Sequence, residues 1–144
     1  MTKTTSFSAA LLAGLLLNMP AMAGDTAAPE GAEAYFINIA DGDTLSNPVT
    51  IQFGLKGMGV SPAGIQDVAD SGHHHLLINS ALTGDALNAP IPSDDSHRHF
   101  GKGQTEVTLD LPAGTHTLQL VLGDWKHTPH DKPVMSEPIK VTVE

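Results

Sequence analysis

The chain has 144 residues, seven Lys plus Arg against sixteen Asp plus Glu, eight His and no Cys, for a formal net charge of −9. A length of this size fits one domain, and the missing Cys excludes disulfides, thiolate zinc sites, blue-copper centres, thiol nucleophiles and a lipid anchor on Cys. The acidity excludes general nucleic-acid binding, which needs a basic patch to meet phosphates.

Lys3, the apolar stretch from Ala9 to Leu17, Pro20 and the triplet Ala21-Met22-Ala23 have the anatomy of a secretory signal peptide, residues 1–23, cleaved after Ala23. The apolar run is shorter than the ~18 residues that a membrane span requires. The expected location is therefore periplasmic or secreted, with no membrane span once the signal is removed. Residues 24–33 combine Ala, Gly, Pro and acid without a period and read as a flexible N-terminal arm.

From residue 34 to residue 144 strand patterns dominate. Ala34 to Ile39 is a short apolar run ending at the turn residues Asp41-Gly42-Asp43. Val49, Ile51, Phe53 and Leu55 alternate with Thr50, Gln52, Gly54 and Lys56, a period of two that marks a strand with one apolar face. The same alternation places His74, Leu76 and Ile78 opposite His73, His75 and Leu77. It returns in Thr105 to Leu111, in His116 to Leu122 after the turn Pro112-Ala113-Gly114, and in Ile139 to Val143. A weaker, seventh strand is expected over Leu82 to Leu87. No window carries a helical stripe, and the ten prolines would interrupt one. The expected fold is all-β, an immunoglobulin-like antiparallel β-sandwich of about seven strands.

Two long connections, residues 79–104 and 123–137, break this rhythm, and both carry histidines. On a strand, His73 and His75 place their rings on one face about 7 Å apart along the chain, while His74 faces the apolar side. His97 and His99 repeat that spacing. His127 and His130 sit in the second connection, where the backbone can turn both rings to a common point. Imidazole suits Cu(II) and Zn(II), so His73, His75, His97, His99, His127 and His130 are the candidate metal ligands, with copper or zinc as the expected ion. Because the ligand is neutral imidazole, binding is expected to weaken as pH falls through ~6.5. Asp94, Asp95 and Asp124 lie close enough in sequence to orient ring N–H groups. His116, just after a turn glycine, is placed to tie down a corner of the sandwich.

Gly72-His73-His74-His75-Leu76-Leu77-Ile78-Asn79 and His97-Arg98-His99-Phe100-Gly101-Lys102-Gly103-Gln104-Thr105-Glu106 resemble the GHHH and HFG-x-GQTE signatures of a bacterial secreted family of unknown function. The resemblance continues through Leu111 to Leu118 and Leu122 to His130, and implies a secreted single domain without an established activity. A looser similarity, carried by His73, His75, His116 and His127, links the chain to periplasmic immunoglobulin-like domains with histidines at one end. Copper–zinc superoxide dismutases also hang histidines on a sandwich, but the chain lacks their Cys pair and ligand series, so that activity is not implied.

The function expected from these features is a periplasmic metal-binding module for buffering, delivery or sensing, with a metal ion as partner. One alternative is a non-catalytic interaction domain of the envelope, with another envelope protein as partner and the histidines as structural hydrogen bonders. A metal-dependent enzyme is the third, with Asp124 or Glu106 as the base to test. No nucleophilic or phosphate-binding motif is evident.

Overall fold

The computed structural model describes residues 24–144; the expected signal peptide lies outside the described residues. Among the described residues nine strands form: β1 (Glu33–Phe36), β2 (Thr44–Leu45), β3 (Val49–Lys56), β4 (Gly59–Val60), β5 (Ser71–Ile78), β6 (His97–His99), β7 (Glu106–Leu109), β8 (Gly114–Gly123) and β9 (Ile139–Val143). One sheet has the order β1-β3-β7. The larger one runs β2-β9-β8-β5-β4, with β6 also paired to β5. Most pairings are antiparallel, and the fold is an all-β sandwich. Two-residue strands at the edges, β2 on β9 and β4 on β5, pair in parallel.

The period-two segments became strands because each has one face to bury. Val49, Ile51 and Phe53 of β3 meet Leu76 and Ile78 of β5, Leu118 and Leu120 of β8, and Val141 and Val143 of β9 between the sheets. The outer face of the large sheet is covered as well: Leu77 and Val121 pack with Leu82 and Ile91 from the long connection, against Leu87 and Met135. β5 is consequently buried along its whole length, on both faces. The face that carries His73, His75 and Leu77 is interior, although its histidines give it a polar sequence.

Three differences from the sequence pattern have physical causes. Leu82 to Leu87 forms no strand; Gly84–Asn88 is a short 3-10 turn, and Leu82 and Leu87 serve the outer cluster from loop backbone. His97–Arg98–His99 does form a strand, which its three polar residues gave no apolar alternation to announce; pairing with Leu77, Leu76 and His75 holds it in place. The segment from Gly24 to Ala28 lies against the second long connection: the Thr26 hydroxyl donates to Asp124 Oδ2 at 2.7 Å, and the Ala28 N–H donates to Asp131 Oδ1 at 2.8 Å. Among the described residues no helix is long and apolar enough to cross a membrane.

Candidate metal centre

β5 projects His73 and His75 to the same side, and neither ring is exposed. Their Nε2 atoms lie 3.0 Å apart. β6 brings His99 directly opposite His75 in the antiparallel register, so the His99 ring centroid is 5.1 Å from those of both His73 and His75. The fourth ring, His127, comes from the loop after β8 and stands 5.0 Å from His73, 4.8 Å from His99 and 6.3 Å from His75. The result is a cup: His73 and His75 form a buried floor, and the half-buried His99 and His127 form the rim.

The loop is shaped to deliver His127. Asp124, almost fully buried, accepts the Lys126 and Thr128 N–H groups on Oδ1 at 2.8 and 2.9 Å and the Thr26 hydroxyl on Oδ2. Its carbonyl accepts the His127 N–H at 2.8 Å, and the His127 carbonyl accepts the Ile91 N–H at 2.8 Å. Within this frame His127 adopts φ +69°, a left-handed conformation that costs a residue with a Cβ roughly 1–2 kcal/mol. The surrounding bonds hold it there.

Two glycines leave room for the rings. A Cβ on Gly123 would sit 2.9 Å from His75 Nε2, and one on Gly101 would sit 2.4 Å from His99 Nε2. Neither position admits a side chain while the cup keeps its shape.

Burial sets the protonation state. It pushes His75 down to about 2, with repulsion from His73, His99 and His127 adding to it. Burial lowers His73 to about 4, again helped by His127 and His99 and opposed by the Asp124 carboxylate. Burial also lowers His99, with His127 assisting. Near neutral pH these three imidazoles are therefore neutral and have lone pairs to offer. His73 and His75 pair through their Nε2 atoms, while Nδ1 of each and Nε2 of His99 are buried without a hydrogen-bond partner among the described residues, a costly condition that His130 Nδ1 and both nitrogens of His74 share outside the cup.

His73, His99 and His127 each offer one nitrogen, and the three lie within 4.8 Å of one another, so this group can hold a metal ion. Nitrogens at about 2.0–2.1 Å from one ion lie about 3.3 Å apart in a tetrahedron and about 2.9 Å apart at right angles. The His73–His75 separation already falls in that range.

His97 and His130 stand elsewhere. Both nitrogens of His97 are engaged, Nε2 with Ser80 Oγ at 2.9 Å and Nδ1 with Asp94 Oδ1 at 2.8 Å. That chain anchors β6 and so fixes His99. Buried His130 donates from Nε2 to the Ser71 carbonyl at 3.3 Å. His74 faces the main core against Phe53, at 5.3 Å between centroids. His116 donates from Nε2 to the Pro112 carbonyl at 2.7 Å and tethers the turn into β8. Of the three acids expected near the rings, Asp94 orients His97, Asp95 pairs with Arg98 at 3.3 Å, and Asp124 holds loop backbone. The supporting roles of Gly101, Gly123 and Thr26 had no sequence signal beyond residue type.

A family model described as a domain of unknown function, DUF4399, matches residues 51–144, a stretch that includes all four rings of the cup. No curated protein and no solved structure matches the chain.

Proposed function

The chain belongs to the DUF4399 family, and we propose that it is a periplasmic metal-binding module that holds Cu(II) or Zn(II) with His73, His75, His99 and His127, in buffering, delivery or sensing of the metal. One observation carries this reading: four rings from β5, β6 and the loop after β8 converge, and burial keeps at least three of them neutral. Among the described residues the four rings share one hydrogen bond, between His73 and His75 Nε2, and His99 Nε2 is buried without a partner, so hydrogen bonding does not account for the gathering of the rings. Imidazole ligands select the later first-row metals over Mg and Ca, and the absence of Cys favours Cu(II) over Cu(I). Two rings at an open rim suit exchange of the ion with solvent or with a partner, as buffering and delivery require.

Calorimetric titration of the purified, tag-free protein with Cu(II) and with Zn(II) tests the proposal. One ion bound per chain is expected, with binding lost in the His73→Ala, His75→Ala double variant and retained in His130→Ala. No heat at micromolar metal, or unchanged binding in the double variant, would remove it.

A further inference from the structure

Beyond the rim, the cup opens onto a cleft of about 390 Å³ lined by His99, His127, Lys102 and Gln104. No carboxylate lines it, although the chain as a whole carries a formal charge of −9. Lys102 is its one charged wall residue. Among the described residues the ion pairs are His97–Asp94 and Arg98–Asp95, so Lys102 has no acidic partner within 4.0 Å. Its backbone is held in a tight turn: the Lys102 N–H donates to Gln104 Oε1 at 2.9 Å, and the Gly103 N–H donates to the Phe100 carbonyl at 3.1 Å. The opposite wall is fixed in turn by the Ala63 N–H, which donates to the Gly101 carbonyl at 2.9 Å.

A divalent ion on imidazoles alone keeps both of its charges. The nearest buried carboxylate, Asp124, has both oxygens occupied by the loop and by Thr26. Partial burial makes an uncompensated double charge expensive, and a small anion is the direct remedy.

We infer that the ion held by the rings of the cup takes a further ligand from this cleft, and that this ligand is a small anion held between the ion and the Lys102 ammonium. The inference rests on the metal-binding reading of the site. It assigns Lys102 to anion binding from the open side, where His99 and His127 line the cleft. Lys102 touches no ring nitrogen in this scheme, so it affects the anion and not the metal.

Azide is the probe, titrated into the copper-loaded protein and followed by its charge-transfer absorption, with copper affinity measured separately by chelator competition. Wild type is expected to bind one azide. Lys102→Met weakens azide binding about tenfold, Lys102→Arg preserves it, and high salt weakens it in wild type more than in Lys102→Met. Copper affinity stays the same in all three proteins. Equal azide affinity in wild type and Lys102→Met would overturn the inference, as would a copper-loaded protein that shows no azide band. A protein that takes up no copper would instead overturn the metal-binding reading itself, and this inference with it.

Discussion

Three buried histidines make the stability of the metal-free protein steeply dependent on pH. An unfolded histidine titrates near 6.5, whereas burial lowers His73 and His74 to about 4 and His75 to about 2. Between those limits the unfolded chain binds more protons than the folded one, so stability rises with pH across the window and falls as pH drops through 6.5. Above pH 6.5 the contribution is complete and constant. For one such group the loss between pH 7 and pH 5 is about 2 kcal/mol, and for three together about 4–6 kcal/mol, a large part of the ~5–15 kcal/mol that holds a domain folded. Urea unfolding in the presence of a chelator, at half-unit steps from pH 7.5 to 5, reads this as a falling midpoint. His74→Leu, on the core face away from the cup, should remove about a third of the pH slope. A midpoint that does not move between pH 7 and pH 5 would refute the claim that these rings are buried and neutral.

Other perturbations separate the cup from its scaffold. His74→Leu should also stabilise the metal-free protein near neutral pH by about 1–3 kcal/mol, because both His74 nitrogens are buried without partners; metal affinity by chelator competition should not change. Gly123→Ala puts a methyl against His75 Nε2, and should cost about 1–3 kcal/mol in urea unfolding and also lower metal affinity. Thr26→Val removes the hydroxyl that donates to Asp124 Oδ2. It should cost about 1 kcal/mol and speed metal release in stopped-flow chelation, since Asp124 frames the loop that carries His127. Protons should compete with metal at His73 and His75 only near or below about pH 4, well under the ordinary imidazole value, so competition at these two rings should weaken affinity measured by chelator competition little between pH 7 and pH 5.

Period-two alternation was enough to place β3 to the residue, because its eight residues bury one face and its apolar set names that face. It also separated His74 from His73 and His75 correctly. What it left hidden was the outer layer. Leu82, Ile91 and Met135 belong to connections with no periodicity, yet they close the sheet's second face and make the His73 and His75 side interior. β6 was illegible for a related reason: three polar residues carry no hydrophobic pattern, and only pairing to β5 defines them as a strand. The gathering of His73, His75, His99 and His127, and the exclusion of His97 and His130, depend on that pairing and on the left-handed turn at His127. Spacing alone left all six as candidates, with His73 and His75 foremost. Asp94 and Ser80 occupy both nitrogens of His97, and the Ser71 carbonyl holds Nε2 of His130 away from the cup.

A crystal of the protein soaked in copper, with diffraction recorded at the copper absorption edge, tests the central claim most directly. The anomalous difference map should show one strong peak enclosed by the rings of His73, His75, His99 and His127, within ~2.0–2.3 Å of at least three ring nitrogens. A map with no peak in the cup, or with its strongest peak at His97 or His130, would contradict it.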